Sequence, residues 1–372
     1  MSNKKNSNEY SEEYFKSNKE YHYNFEEEAE EYLVSSGSMY MDHVLGGGLG
    51  AGLHRFCGAN EGGKTNAALH IMFNMLNSVS GTKGLFIMAE GRLSKEIKER
   101  SGLKFVYSPK EWVKGTCLVF QCCVRDTVVD YLRGLLQHNK EKDRFCIVID
   151  SMDGLITKGD LAKSSSEARK VAAGALMTSD FLKRVSLGMS KFGHMCIMIS
   201  QIRASPTVSQ YAKQDPNNQT NSSGGNAILH YPDWILDFRK RKASDKFLEN
   251  PSSTQVSADN KPIGHIARVL VLKSTNETSG QIIEYPIKYG RKNGRSIWLE
   301  KEIIDMLLMW GYLQRKGSWI NVDKDLVDFC DKNKIDMPDK FQGTHKLSDI
   351  LEENKVVRDM LKKFVEDNII NQ

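Results

Sequence analysis

The chain of 372 residues has no apolar run near the ~20 residues that a membrane-spanning helix needs. Its opening, MSNKKNSNEY, has no apolar stretch behind the basic residues, so no secretory leader is visible and a cytoplasmic protein is expected. The seven cysteines are odd in number and form no C-x-x-C pair. Most fall inside apolar, strand-like runs, which suits reduced buried thiols and not a disulfide frame. The nine histidines include no H-E-x-x-H and no ligand-spaced pair, so no structural zinc is expected. No internal repeat is apparent. Hydrophobic residues are 40% and charged residues 27% of the chain, which excludes wholesale disorder and a collagen-like chain. At roughly 150 residues per domain the length suggests about two domains, with a core that needs no disulfide staples.

Charge is unevenly placed. The net charge is +5, but residues 1–33 contain nine Glu and four Lys, or −5, leaving +10 on residues 34–372. A basic body with an acidic arm is compatible with a polyanionic partner. The arm is polar, with interleaved Tyr and Phe, and reads as a helical arm or a disordered tail.

From Val34 the pattern alternates. Short continuous apolar runs at 53–58, 84–90, 116–122, 144–150, 195–200 and 234–238 read as parallel strands covered on both faces. Between them lie helical patterns. One follows Lys64, another carries Val128, Leu132 and Leu135, and a long one spans about 166–191 with Leu182 and Val185 inward. Strands alternating with helices indicate an α/β fold with a doubly wound sheet. Runs at 266–274 and 282–289 look like a late antiparallel addition. After Trp298 the pattern becomes a helix at 300–310, a hairpin at 311–322, and amphipathic helices at 347–351 and 356–365. The expected division is an arm at 1–33, a core at 34–296 and a small C-terminal α+β domain at 297–372. Segment 203–225, with Pro206, Pro216 and an Asn/Gln-rich stretch, is too long for an ordinary loop and is expected to be functional or disordered.

Gly58-Ala59-Asn60-Glu61-Gly62-Gly63-Lys64-Thr65, continuing into Asn66, fits G-x-x-x-x-G-K-[ST] in full. It follows a strand and opens a helix, as the motif requires. Glycines let backbone amides curl around phosphate oxygens, and the helix N-terminus adds its positive dipole end. Lys64 would reach the β/γ-phosphates and Thr65 would ligate Mg²⁺. In Arg144-Phe145-Cys146-Ile147-Val148-Ile149-Asp150, an apolar strand runs into an acid at its C-terminal end, where open α/β sheets bind ligands. Asp150 is thus expected to hold Mg²⁺ with Thr65. Glu90, at the end of 84–90, is expected on the same edge, where by itself it reads as a surface residue at a strand end or as a group that could activate water. The run Arg239-Lys240-Arg241-Lys242 reads equally as a nucleic-acid patch and as a solvated strand exit.

Taken in order, these segments resemble the RecA family of strand-exchange recombinases. Val34-Ser35-Ser36-Gly37-Ser38 with Asp42 and Leu45-Gly46-Gly47-Gly48 is similar to the family's lead into its phosphate loop. Ala89-Glu90 resembles the catalytic glutamate strand. Ile199-Ser200-Gln201-Ile202-Arg203 resembles the strand end that opens the second DNA-binding loop, and Gly224-Gly225-Asn226-Ala227 resembles its close. The series covers about 34–289. The arm and the tail look closer to tailed-phage recombinases of the UvsX type.

The resemblance implies a RecA-like P-loop ATPase core, ATP and Mg²⁺ as cofactors, and DNA-stimulated hydrolysis. It implies a helical homo-oligomeric filament on single-stranded DNA that pairs with homologous duplex, helped by single-strand-binding and mediator proteins, in a bacterium or a phage-infected cell. Gln201 would sense the γ-phosphate. Lys273 would reach ATP on the neighbouring subunit. Lys158 and Lys163 would belong to the first DNA loop, and Arg203, Lys213, Gly224, Gly225 and Asn226 to the second. Three departures stand out. Thr275 replaces a second trans lysine, Ile97 stands where bacterial RecA stacks an aromatic on adenine, and the arm lacks the bacterial polymerisation pattern. Two other readings stay open at this stage: a ring helicase of the same ATPase superfamily, and an accessory protein that uses ATP as a clamp without hydrolysing it.

Overall fold

A computed structural model describes residues 6–18, 28–91, 93–162, 171–201, 227–253 and 255–370. Thirteen strands form there: β1 Gly52–Gly58, β2 Thr82–Met88, β3 Phe105–Val106, β4 Cys117–Gln121, β5 Arg144–Asp150, β6 Met195–Ile199, β7 Trp234–Phe238, β8 Lys246–Leu248, β9 Pro262–Lys273, β10 Ile282–Lys288, β11 Leu313–Lys316, β12 Trp319–Val322 and β13 Lys340–Gln342. The helices are α1 Ser7–Ser17, α2 Met39–Leu45, α3 Lys64–Ser78, α4 Lys95–Ser101, α5 Arg125–Gln137, α6 Lys158–Leu161, α7 Val171–Lys191, α8 Ala227–His230, α9 Leu299–Met309, α10 Lys324–Lys332, α11 His345–Glu353 and α12 Lys355–Val365. No described helix is long and apolar enough to cross a membrane.

The first ten strands make one sheet, in the order β10-β9-β7-β1-β6-β5-β2-β4-β3, with β8 beside β9. The pairs among β1–β7 are parallel, while β8, β9 and β10 pair antiparallel. This is the expected mostly parallel α/β sheet with its late antiparallel addition. Every residue of β1 is buried because helices cover both faces. Phe56 joins Ala68, Ile71, Met72 and Met75 of α3 on one face. Leu53 joins Val128 and Leu132 of α5 and Phe181, Leu182 and Val185 of α7 on the other. Alternation along one strand thus feeds two cores.

Some expected elements differ at their ends. The strand expected through Glu90 stops at Met88, and α7 is described from Val171. The short β3 and β8 and the helices α2 and α4 carry too little periodicity to be read from sequence. Residues 28–33 run along the core. Ala29 N donates to Lys191 O (3.0 Å) and the Tyr32 hydroxyl to Gly193 O (3.1 Å). Segment 203–225 lies outside the described residues.

Strands β11–β13 form a separate antiparallel sheet. With α9–α12 they enclose a third core around Ile303, Leu307, Leu326, Leu351 and Phe364, into which Met39 of α2 also inserts. One polar link from this core, toward the segment that leads into the large sheet, is Glu302 of α9. It caps the start of α2, accepting from the Ser38 hydroxyl, from Met39 N (3.1 Å) and from Tyr40 N (3.3 Å). Burial pushes its carboxyl up to about 7, against the pull of those three donors.

A carboxyl raised in the folded state binds its proton more tightly there than in the unfolded chain. Its contribution to stability is therefore complete near pH 4.5 and is lost as pH rises through about 7. Glu302→Gln removes this titration. Thermal melts between pH 5 and 8 are expected to show a flatter pH dependence for the variant, by on the order of 2 kcal/mol across the range. Equal slopes would show that Glu302 does not titrate in that window.

Candidate nucleotide-binding site

The C-terminal ends of the parallel strands face one edge, and β1 delivers the phosphate loop there. Gly58 has φ +125°, and a Cβ at that position would lie 2.2 Å from Phe238 O, so only glycine lets the loop pass beneath the end of β7. Gly63, at φ +102°, caps α3 without a side-chain bond, leaving the first amides of the helix available to an anion. Lys64 folds back across its own loop. Its ammonium donates to Gly58 O (3.0 Å) and Ala59 O (2.7 Å). Burial pulls its pKa down, opposed chiefly by the Asp150 carboxylate.

The structure brings Thr65, Asp150 and Glu90 together. The Thr65 hydroxyl donates to Asp150 Oδ2 (2.7 Å). Asp150 ends β5, and burial raises its pKa, with Glu90 adding to the rise while Thr65 and Lys64 oppose it. A hydroxyl and a carboxylate that is short of positive charge suit a hard cation such as Mg²⁺, which takes few protein oxygens and completes its shell with water and phosphate. No group of three or more His, Cys, Asp or Glu poised for a metal occurs among the described residues. Glu90 sits two residues beyond β2, exposed at the mouth. Ala89 N donates to Asp150 O (2.8 Å), and the Ser151 hydroxyl donates to the Glu90 carboxylate.

Gln201 follows β6 on the same edge. Its backbone N donates to Asp153 Oδ2 (2.6 Å), just past Ser151. Hydrogen bonds therefore run from the phosphate loop through Asp150 to Glu90, and the short turn that carries Asp153 holds the base of segment 203–225.

Lys273 is not brought to this group. It pairs with Ile235 at the start of β7, whereas the phosphate loop lies past Phe238 at the other end. Its ammonium donates to His230 O (2.6 Å) and Pro232 O (2.7 Å). Lys158 opens α6 with its side chain exposed and its backbone N held by Asp126 (2.9 Å). Lys163, Arg203, Lys213, Gly224, Gly225 and Asn226 lie outside the described residues.

A cavity of about 320 Å³ adjoins the phosphate loop at Gly63 and Asn66. Its walls include Arg100, His265 and Tyr289, which the sequence did not mark, and Arg241 from the basic run 239–242. Ile97 does not line it and packs against the core of the sheet instead. The Tyr289 and His265 rings lie 5.4 Å apart. Burial, with Arg241 and Arg100 nearby, holds the His265 pKa down to about 4, so the ring is neutral at pH 7. The register of β9 against β10 and the turn after β7 assemble this wall, and no local pattern announces it. The run 239–242 is divided: Arg239 pairs with Asp237 (2.9 Å), while Arg241 faces the cavity.

A phosphate loop on a parallel sheet, with a hydroxyl and an acid set to share a cation, defines a P-loop nucleotide-binding protein. The family model of the RecA N-terminal domain matches residues 23–292. The chain belongs to the RecA family of recombinases. It is 23% identical to Protein RecA of Chlorobaculum parvum over 341 residues, covering 90% of this chain and 83% of the relative. It is 26% identical to Protein RecA of Cytophaga hutchinsonii over 296 residues (78% and 72%) and 25% identical to that of Macrococcus caseolyticus over 338 residues (89% and 80%).

Lys64→Ala is expected to weaken ATP binding by roughly 30- to 100-fold, the worth of a charge-assisted bond pair. Titration with a fluorescent ATP analogue reads this, and the melting temperature of the ligand-free protein should shift by only a few degrees. Unchanged affinity would remove Lys64 from the site.

Proposed function

We propose that this chain is a DNA-dependent ATPase that polymerises on single-stranded DNA and drives homologous pairing and strand exchange. The observation that carries the reading is the contiguity of the Thr65–Asp150 bond, the Ser151–Glu90 bond and the Asp153–Gln201 bond on one sheet edge. The residues that would hold phosphate, cation and water are neighbours of the residue that opens the DNA segment.

ATP would lie with its phosphates on residues 58–65 and its base toward the cavity wall at Tyr289 and His265. Lys64 would leave Gly58 O and Ala59 O for the phosphate oxygens. Thr65 and Asp150 would hold Mg²⁺, which neutralises charge on the phosphates. Glu90, released by the Ser151 hydroxyl, would take the proton from the attacking water. Gln201 would turn toward the γ-phosphate and pull the segment beyond it. Lys158 and Lys163, with Arg203, Lys213 and the Gly224-Gly225-Asn226 end, would meet the DNA backbone largely without reading bases.

The placement of Lys273 supports a trans role. It lies at the edge of the sheet away from its own phosphate loop, so the nucleotide it can serve is another subunit's. We take residues 34–296 as the ATPase core, 297–372 as a small C-terminal domain and 1–33 as an arm. The separate core around Ile303 and Leu307, and a helix α1 that buries no residue, support this division.

ATP hydrolysis measured with and without single-stranded DNA is expected to rise with DNA and to lose that rise as salt increases. Nucleotide binding without DNA-stimulated turnover would replace this reading by an ATP-clamped accessory protein. Glu90→Gln should cut turnover by about 100-fold or more and leave ATP binding within about threefold.

Mixing tests the trans cation. Lys273→Ala and Glu90→Gln should each be nearly inactive, yet together they should recover hydrolysis at interfaces that combine the intact Lys273 of one subunit with the intact Glu90 of the next. A mixture no better than its components would place Lys273 in its own subunit's chemistry or outside the reaction.

A further inference from the structure

The cavity beside the phosphate loop is apolar in its depth and cationic at its mouth. Met41, Ile71 and Ala267 line it and are buried, so they form the depth. Arg100, Arg241 and Tyr289 line it and are exposed, so they stand at the mouth. A flat group with apolar faces suits such a cavity, and its polar edge would meet the mouth.

Arg100, Arg241 and Lys288 border the cavity, against one acid, Glu61 of the phosphate loop. Lys288 is already committed. Its ammonium pairs with Glu352 (2.5 Å) and lies over the Trp298 ring at 4.6 Å. Arg239, two positions before Arg241, is bound to Asp237 (2.9 Å), whereas neither Arg100 nor Arg241 makes an ion pair or a side-chain hydrogen bond among the described residues. Both guanidiniums act on the same His265 ring, whose pKa they help burial to hold down to about 4. A neutral imidazole supplies no counter-charge to them.

A ligand edge that meets these groups must therefore accept hydrogen bonds. The fork of a guanidinium matches two adjacent acceptors, and purines offer them in one form only. Guanine and hypoxanthine present N7 and O6, both acceptors. Adenine presents N7 beside an amino group, which sets a donor against a donor. We propose that this cavity takes a 6-oxopurine nucleotide, with the Arg241 guanidinium on its O6 and N7, so that GTP serves the site at least as well as ATP. The inference rests on the reading that the nucleotide lies on residues 58–65 with its base toward Tyr289 and His265. Arg100 adds a second positive charge on the same side, which also favours a carbonyl edge over an amino edge. The Tyr289 ring can stack on either purine, so it supplies affinity while the arginine supplies choice.

The test is competition against a fluorescent ATP analogue by ATP, GTP and ITP, each with Mg²⁺. ITP carries the 6-oxo group without the 2-amino group of guanine, so it isolates the contact to O6. GTP and ITP are expected to compete at least as well as ATP. Arg241→Met keeps the apolar stem of the side chain and removes the fork. It should lower the GTP-to-ATP and ITP-to-ATP affinity ratios by about tenfold each, the low end for a bidentate pair because the mouth is open to water. Arg241→Lys keeps the charge without the fork and should lower both ratios by an intermediate amount. The side chain is exposed, so the ligand-free variants should melt as the parent does.

A parent protein that binds ATP more tightly than both GTP and ITP overturns the proposal. So do ratios that Arg241→Met leaves unchanged, since that is the mark of a guanidinium that stacks on any base or stays in water. Lys64→Ala separates this inference from the reading beneath it. If Lys64→Ala binds all three nucleotides as the parent does, the phosphate-loop reading fails and the inference falls with it. If Lys64→Ala loses all three while the parent disfavours GTP and ITP, the inference alone fails.

Discussion

The hydrogen bond from the Thr65 hydroxyl to the Asp150 carboxylate joins two segments separated by 85 positions, and the rest of the site is arranged around it. Thr65 stands there because β1 ends in a loop that closes under β7 and starts α3. Asp150 stands there because β5 ends level with that loop. From Asp150 the chain passes to Ser151, which holds Glu90, and to Asp153, which holds Gln201. A shift of either strand by one residue would reverse the facing of every side chain on it and dissolve the group. The continuous apolar runs of β1 and β5, buried on both faces, hold that level.

The site gathers more buried charge than its hydrogen bonds fully compensate. Lys64, Asp150 and Asp237 are each displaced from their ordinary pKa chiefly by burial, and Arg55 is displaced in the same way. A folded protein tolerates such groups where a ligand supplies what is missing or where alternative pairings are needed. On the proposed function, a nucleotide would bring negative phosphates to Lys64 and a cation to Asp150. The bonds at rest, Lys64 with its own loop carbonyls and Glu90 with Ser151, would be the ones exchanged for ligand contacts.

The C-terminal core is tied to the large sheet by a different means. Met39 inserts among its apolar residues and Glu302 caps α2, so the segment just before β1 is held from both sides. That segment leads through Val34 and Leu49, which pair with each other, into the strand that carries the phosphate loop. The small sheet therefore helps set the ground on which the site stands, without contributing a residue to it.

Local order in the sequence was enough for the phosphate loop, for Asp150 at the end of an apolar strand, for the alternation that makes a parallel sheet, and for the family resemblance in the series of segments. These depend on residues close in the chain, where spacing and polarity translate directly into turns, strand ends and helix starts. Glu90 was also legible, although its strand ends two residues earlier than its apolar run suggested. What only the tertiary structure decided is which distant elements share an edge. The cavity wall of Arg100, Arg241, His265 and Tyr289 depends on strand register. The separation of Lys273 from its own phosphate loop depends on β9 running antiparallel to β7. The half-paired burial of Arg55 depends on β6 lying beside β1. Strand order and register come from long-range packing, in which each strand is chosen by its neighbours, and no short window of sequence contains that information.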